Sequence, residues 1–237
     1  MMNADPHVSQ RFDDELHAVH ELVHRMAGVV EEQMRNALTA LLHQDEALAN
    51  EIIGRDSIVN DYELRIEEEC ISILVRRQPA AGDLRLVMTL IKSIADLERI
   101  GDKAVKIASM ALSMQRSSTS VNSRFLRDIK TMGDYALDMF RRAMDALANG
   151  DAEAAIEVAK GDEELNQEYR AAMRRLITYM MEDPRTITPA IDALFVAKAL
   201  ERVGDHARNL CEYVIYLVKG VNVRHIPLEE VSHQLQD

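Results

Sequence analysis

The sequence has few of the residues that interrupt helices. Its 237 residues include 9 glycines, 5 prolines and no tryptophan. Glycine and proline are the poorest helix formers, whereas alanine, leucine, methionine, glutamate and arginine, which are abundant here, are among the best. The composition therefore disfavours a sheet protein and predicts an all-α fold with long helices.

Cysteines and long apolar runs are also scarce. Cys70 and Cys211 are the two cysteines, too few for a disulfide framework in a chain of this length, which favours a reducing compartment. No apolar run approaches the roughly 20 residues of a membrane-spanning helix. Residues 1–12 lack the apolar core of a signal peptide. We expect a cytoplasmic protein that is peripheral to the membrane only through its partners.

The charge balance and the missing motifs exclude several functional classes. The formal net charge of −12 repels a phosphate backbone, so we expect no nucleic acid partner. The sequence contains no glycine-rich nucleotide loop and no nucleophile motif of the G-x-S-x-G type. We therefore expect a protein that is not an enzyme.

The two halves of the chain repeat one pattern. Leu-Glu-Arg-Ile-Gly-Asp at 97–102 matches Leu-Glu-Arg-Val-Gly-Asp at 200–205, and a repeat on this scale indicates two copies of one supersecondary unit. Loop signals separate six amphipathic segments of about 30 residues, and short loops between long helices indicate antiparallel neighbours. The predicted helices span residues 8–43, 46–77, 83–115, 122–148, 151–182 and 189–219.

These segments predict two tandem, similar three-helix bundles with up-down antiparallel topology. We place the first bundle at residues 8–116 and the second at 122–220, joined by a serine- and threonine-rich stretch. Residues 221–237 are predicted to form a flexible tail.

Acidic residues interrupt the apolar faces of these helices. On the third helix, Glu98 lies inside the apolar face and Asp102 lies one turn later, whereas Asp96 falls on the opposite, polar side. Glu201 and Asp205 repeat the first pair on the sixth helix. Carboxylates that face a core need a proton, a cation or a metal.

Counting residues from the loops places acidic and amide groups of three helices at one height in each bundle. Oxygen ligands without thiolates suit Mg²⁺, Mn²⁺, Fe or Ca²⁺ better than structural zinc. We expect a divalent or trivalent metal ion and leave Fe, Mn, Mg and Zn open. The candidate ligands are Asp56, Asn60, Glu63, Glu98, Asp102, Asp138, Asp162, Asn166, Glu201 and Asp205.

Two other interpretations of these acids remain open at this point. In the first, the protein is a carboxylate-bridged metal enzyme built on a bundle, such as an oxidase. In the second, it is a metal-free helical scaffold whose acids pair with arginines. Arg208 favours the second alternative for the second bundle, because it lies on the same face as Glu201, seven residues further along, and can neutralise the acids there.

Five segments of the chain resemble those of a known family: 76–87, 97–102, 179–187, 200–205 and 211–220. On these segments the sequence resembles the PhoU family of phosphate transport system regulators, and the similarity extends over residues 8–220. The resemblance implies two three-helix bundles in a cytoplasmic, often dimeric protein that represses phosphate uptake and the phosphate-starvation regulon. It implies two partners, the ATPase subunit of the phosphate transporter and a sensor histidine kinase.

The resemblance also bears on the acidic residues. Some family members hold multinuclear metal clusters on E(D)-x-x-x-D motifs, which fall here on Glu98–Asp102 and Glu201–Asp205. Asn60 and Asn166 depart from a pattern made only of carboxylates.

Overall fold

The computed structural model describes residues 6–116, 123–224 and 226, and over these residues it contains helices and no strand. The fold is therefore all-α, as predicted. The elements are α1 (Pro6–His43), α2 (Glu46–Gly54), α3 (Ser57–Arg77), α4 (Ala81–Arg116), α5 (Ser123–Asn149), α6 (Ala152–Lys160), α7 (Asp162–Glu182), a 3₁₀ turn (Pro184–Thr186) and α8 (Ile187–Lys219).

The second predicted helix of each bundle is interrupted. Residues 46–77 form α2 and α3, because Arg55 leaves the helical conformation (φ −100°, ψ 7°) and its N–H bonds the carbonyls of Glu51 and Ile52. Residues 151–182 form α6 and α7, which meet at Gly161. The apolar periodicity continues across both interruptions, so periodicity did not reveal them.

Both bundles use the same device to start the interrupted helix. Gln44 and Gly150 adopt positive φ values of 56° and 60°, and the next residue, Asp45 or Asp151, accepts a hydrogen bond from the backbone N–H three residues later. Such an N-cap contributes about 1 kcal/mol to helix stability. These two caps fix where α2 and α6 begin.

The two halves each pack around a core and then against each other. α1 contacts α2, α3 and α4 in the first half, and α8 contacts α5, α6 and α7 in the second. The most extensive contact of all joins α4 to α8, and α1 also contacts α5. Buried aliphatic side chains fill these contacts. Each fully buried side chain contributes about 1.5–3 kcal/mol to stability.

The predicted join and most of the predicted tail lie outside the described residues. Within the tail, Val223 is buried and the Arg224 Nη2 donates to the hydroxyl of Tyr213 at 2.6 Å, so this part of the chain packs on α8. Over the described ranges, no helix combines the length and apolar character needed to cross a bilayer.

Candidate carboxylate sites and a buried polar cluster

The first acidic set consists of Asp56, Glu63, Glu98 and Asp102, where α3 packs on α4. Burial raises the pKa of Glu98, and the charges of Asp102 and Glu63 raise it further. Burial likewise raises the pKa values of Asp56 and Glu63, and Asp102 contributes to both. The structure thus brings these four carboxyl groups into electrostatic range of one another.

The orientation of this set differs in part from the expectation. Asp56, Glu63 and Glu98 are half-buried, but Asp102 and Asn60 are exposed. The fully buried aliphatic residues of α4 define the side of the helix that faces the core. Asp102 lies outside that side and therefore stays exposed. These acids therefore line the edge of the α3–α4 contact rather than its centre.

The second acidic set consists of Asp162, Glu201 and Asp205, and each member has a cationic partner. Lys198 Nζ lies 2.6 Å from Glu201, and Arg202 Nη1 lies 3.0 Å from Asp205. Glu201 is buried, unlike its counterpart Glu98. This set is neutralised within its own bundle.

Asp162 is the most constrained member of the second set. Its Oδ2 accepts from Asn166 at 3.2 Å and lies 3.5 Å from Arg208, which also donates to Glu212. Arg208 therefore pairs with an acid of this set, as expected, but with Asp162 of α7 rather than with Glu201, whose cationic neighbours are Lys198 and Arg202. Burial nevertheless raises the pKa of Asp162, with further contributions from Asp205 and Glu201 and an opposing effect of Arg208.

Asp138 does not join either set. Its side chain is exposed on α5 and lies 3.6 Å from Arg142 of the same helix. Asp138 is a candidate ligand by sequence, but its position on α5 turns it to solvent.

The fit of these residues to a metal differs between the bundles. In the described part of the chain, no three His, Cys, Asp or Glu side chains are grouped closely enough to hold a metal ion. The second set does not fit a metal, because lysine and arginine already occupy its carboxylates. The first set supplies the oxygen chemistry of a hard-cation site but not a preformed ligand geometry.

Asp96 forms a buried polar cluster that the helical pattern did not predict. We expected it on the solvated side of α4, but it is only 3% exposed. Its carboxylate accepts from His206 Nδ1 at 2.7 Å, Asn209 Nδ2 at 3.0 Å and the Tyr213 hydroxyl at 2.7 Å. All three donors belong to α8, so Asp96 joins the two bundles.

The electrostatics of Asp96 follow from these contacts. Burial alone raises the pKa of a carboxyl group, but the three hydrogen bonds outweigh burial and hold the pKa of Asp96 below its usual range. The carboxylate is therefore ionised, and the His206 nitrogen that faces it carries a proton. A helical wheel missed this cluster because α8 covers a face of α4 that looks polar in isolation.

Comparison with known proteins gives consistent results for both halves. The PhoU domain family matches residues 23–111 and 129–214. A Pseudomonas putida protein named phosphate-specific transport system accessory protein PhoU homolog is 45% identical over 97% of this chain and 89% of its own length. The phosphate-specific transport system accessory protein PhoU of Escherichia coli K12 is 40% identical over 99% of this chain and 96% of its own.

Two solved structures resemble the fold. The crystal structure of PhoU from Pseudomonas aeruginosa aligns with a TM-score of 0.85 and 43% identity, over 89% of this chain and 100% of that chain. The phosphate transport system regulatory protein PhoU from Streptococcus pneumoniae aligns with a TM-score of 0.82 and 31% identity, over 90% of this chain and 99% of that chain.

Proposed function

Because the chain belongs to the PhoU domain family, we propose that it is an accessory protein of a phosphate-specific transport system. The observation that carries this proposal is similarity over nearly the whole length to relatives that bear this name, at 40–45% identity. We propose further that the protein negatively regulates phosphate uptake and the phosphate-starvation regulon. In this role it acts in the cytoplasm as an adaptor between the transporter's ATPase subunit and a sensor histidine kinase.

An adaptor needs binding surfaces rather than reactive groups, and two features of the chain support this role. The first is the state of the two thiols. Cys70 and Cys211 are buried, and burial raises the pKa of each thiol to about 12. A thiol with such a pKa stays protonated at neutral pH and is a poor nucleophile.

The second feature is a pair of exposed apolar patches at equivalent places in the two repeats. Val75, 72% exposed, lies near the end of α3, and Met181, 81% exposed, occupies the equivalent position on α7. Each is accompanied by apolar residues one turn before it and at the start of the next helix. The patch residues are Ile71, Val75, Leu84 and Met88 in the first bundle and Ile177, Met181, Ile187 and Ile191 in the second.

These patches are suited to contacts with protein partners. Exposed apolar residues that cluster at a helix-hairpin tip are more typical of interaction surfaces than of a free surface. Equivalent patches on two repeats provide two binding faces, as an adaptor with two partners requires. We propose that these patches contact the transporter ATPase and the kinase. We also propose that the protein forms a homodimer, either through one of these patches, in competition with the two partners, or through another surface.

Deletion and complementation test the regulatory role. Deleting the gene is expected to derepress alkaline phosphatase in phosphate-rich medium, and the intact chain should restore repression. Val75→Asp combined with Met181→Asp should fail to restore repression, because charges would replace apolar contacts. The matched control, Thr39→Asp with Thr178→Asp, adds the same charge at exposed polar positions and should complement. Unchanged repression in the deletion strain would refute the regulatory role.

We also propose that a hard divalent or trivalent cation associates with the first acidic set rather than the second. The support is the crowding of Asp56, Glu63, Glu98 and Asp102. Burial raises the pKa values of the first three, and neighbouring carboxylate charges raise them further, a repulsion that a cation would relieve. Elemental analysis of protein purified without chelator tests the proposal. Metal should be lost from Glu98→Gln/Asp102→Asn and kept by Glu201→Gln/Asp205→Asn. Metal-free parent protein would favour the scaffold alternative.

A further inference from the structure

Four arginines line one groove on the surface where the two bundles meet. Arg99 of α4, Arg202 and Arg208 of α8, and Arg224 beyond α8 surround an open cavity of about 520 Å³. This concentration of guanidinium groups stands out in a chain with a net charge of −12. A cleft lined by one sign of charge concentrates ions of the other sign.

The groove is produced by the internal repeat. Arg99 and Arg202 occupy the same position in the motif that both halves share, Leu-Glu-Arg-Ile-Gly-Asp and Leu-Glu-Arg-Val-Gly-Asp. Because α4 packs against α8, the two equivalent arginines line the same cavity, one from each bundle. Neither bundle alone contains this pair.

The charges lining the groove favour a dianion. Two carboxylates, Asp205 and Glu212, also line it and pair with Arg202 and Arg208 respectively. Among the described residues, Arg99 forms no ion pair, although its charge acts on Glu63 and Glu98. The guanidinium of Arg224 donates to the hydroxyl of Tyr213 and contacts its ring. These two guanidinium groups thus form no direct ion pair with a described carboxylate, and their combined charge matches the charge of about −1.5 to −2 on a phosphate group at pH 7.

Polar side chains of α8 at the same groove are held in fixed positions by Asp96, which lies behind them. Asp96 bonds His206, Asn209 and Tyr213 from the buried side, and Tyr213 in turn accepts from Arg224. His206 and Asn209 line the cavity. A site whose side chains are already ordered loses less entropy when a ligand binds.

We propose that this groove binds a phosphate group, either as inorganic phosphate or as the phosphoryl end of a nucleotide. Arginine is suited to this ligand because its planar fork donates two parallel hydrogen bonds to phosphate oxygens. A phosphate bound in the groove contacts both bundles, through Arg99 of α4 and Arg202 of α8. Its binding is therefore coupled to the packing of α4 against α8. The choice of phosphate among tetrahedral oxyanions rests on the proposed role in phosphate transport.

Calorimetric titration of the purified full-length chain tests the proposal, with inorganic phosphate, ATP and sulfate as separate ligands. We expect phosphate or ATP to bind and to raise the unfolding temperature of the parent protein. Arg99→Gln/Arg202→Gln should weaken that binding at least about tenfold, the effect of losing about 1.4 kcal/mol. The control Arg25→Gln/Arg174→Gln removes two exposed charges elsewhere and should bind as the parent does.

The outcomes distinguish free phosphate from a phosphate carried by a nucleotide. They also distinguish failure of the phosphate site from failure of the proposed regulatory role. Binding of inorganic phosphate assigns the free ion, and binding of ATP alone assigns a nucleotide-borne phosphate. Sulfate affinity equal to that of phosphate, equal weakening in both double variants, or no binding by any of the three ligands would overturn the site. The regulatory role is tested in the deletion strain and is independent of these titrations.

Discussion

The two acidic sets occupy equivalent positions in the repeat but differ in how their charge is balanced. In the first bundle, burial raises the pKa values of Glu98 and Asp56, and the charge of Asp102 raises both further, against an opposing effect of Arg99 on Glu98. In the second bundle, Glu201 pairs with Lys198 and Asp205 pairs with Arg202. The same carboxylate positions therefore form a repulsive edge in one half and a set of ion pairs in the other.

The difference arises at two positions of the repeated helix. Ala95 and Val105 of α4 stand where α8 has Lys198 and Arg208. Without those two cations the first set keeps its negative charge. Conserving the carboxylate pattern between two halves of a chain therefore does not conserve its electrostatic role, since the cations one turn away decide that role.

The largest asymmetry between the halves is Asp96, whose counterpart in α8 is Ala199. Asp96→Ala should lower the free energy of unfolding by about 3 kcal/mol, because buried Tyr213 and the partly buried His206 and Asn209 would lose their shared acceptor. Urea unfolding measures the change. Asp61→Ala, at an exposed position of α3, should change stability little. Equal effects of the two substitutions would contradict the role assigned to the buried cluster.

Neutralising equivalent glutamates should affect stability in opposite directions. Glu201→Gln loses a charge-assisted bond to Lys198 from a buried position and should destabilise the protein by about 1–2 kcal/mol. Glu98→Gln removes a repelled, half-buried charge and should stabilise it by less than about 1 kcal/mol. Both are read by denaturant unfolding at pH 7. Shifts of the same sign would mean that the two sets are balanced alike.

The shared glycine of the repeated motif provides a packing comparison. An added Cβ at Gly204 would lie 2.5 Å from Leu165 Cδ2, whereas at Gly101 its nearest neighbour, Val59 Cγ1, is 3.4 Å away. Alanine improves helix propensity at both sites by roughly 1 kcal/mol, but only Gly204→Ala must displace a buried leucine. We expect Gly204→Ala to unfold more easily than Gly101→Ala by about 1 kcal/mol. Thermal unfolding of the two variants should show this order, and the reverse order would rule it out.

The smallest expected effect concerns the ion pairs that tie the helices of each bundle. Glu15 of α1 accepts two bonds from Arg77 of α3, at 3.0 and 2.8 Å, whereas Asp128 of α5 accepts one from Arg175 of α7 at 2.8 Å. The hydrogen bonds from Arg77 lower the pKa of Glu15. Glu15→Gln should therefore cost more than Asp128→Asn, though less than about 1 kcal/mol at pH 7.

The pH dependence of this difference has a definite sign. Because the folded pKa of Glu15 lies below its ordinary value of about 4.3, its contribution is complete above that value and is lost as the pH falls through the lowered pKa. Parent and Glu15→Gln stabilities, measured by urea unfolding from pH 7 downward, should converge only in acid. A constant difference across that range would show that the charge of Glu15 contributes nothing.

Much of the fold was predictable because it depends on local and periodic features. The all-α class, the six-segment layout and the turn that starts a helix at Asp151 follow from composition, apolar spacing and a local capping residue. The interruption at Arg55 was not predictable from periodicity, because the buried positions Ile52 and Val59 stay in phase across it. Spacing along α8 predicted that Arg208 would neutralise an acid of the second set, but its partner, Asp162, lies on α7, which spacing along one helix does not show.

The acidic sets were predictable only in part, for a different reason. Spacing along one helix correctly grouped Glu98 with Asp102 and Glu201 with Asp205, because neighbours at i and i+4 share a face. It placed Asp102 toward the core, whereas this side chain is exposed. The exposure of a residue at the edge of a helix face depends on how α3 crosses α4. The spacing of residues along a single helix does not determine that crossing.

The amino-acid sequence by itself determined the helices, their duplication and the family to which the chain belongs, since these rest on residue order along one chain. Only the tertiary structure decided that α4 and α8 pack together, burying Asp96 and bringing Arg99 and Arg202 to one groove. The physical reason is that burial and electrostatic range are properties of surfaces in contact. Residues 110 positions apart, such as Asp96 and His206, acquire them only when the bundles meet.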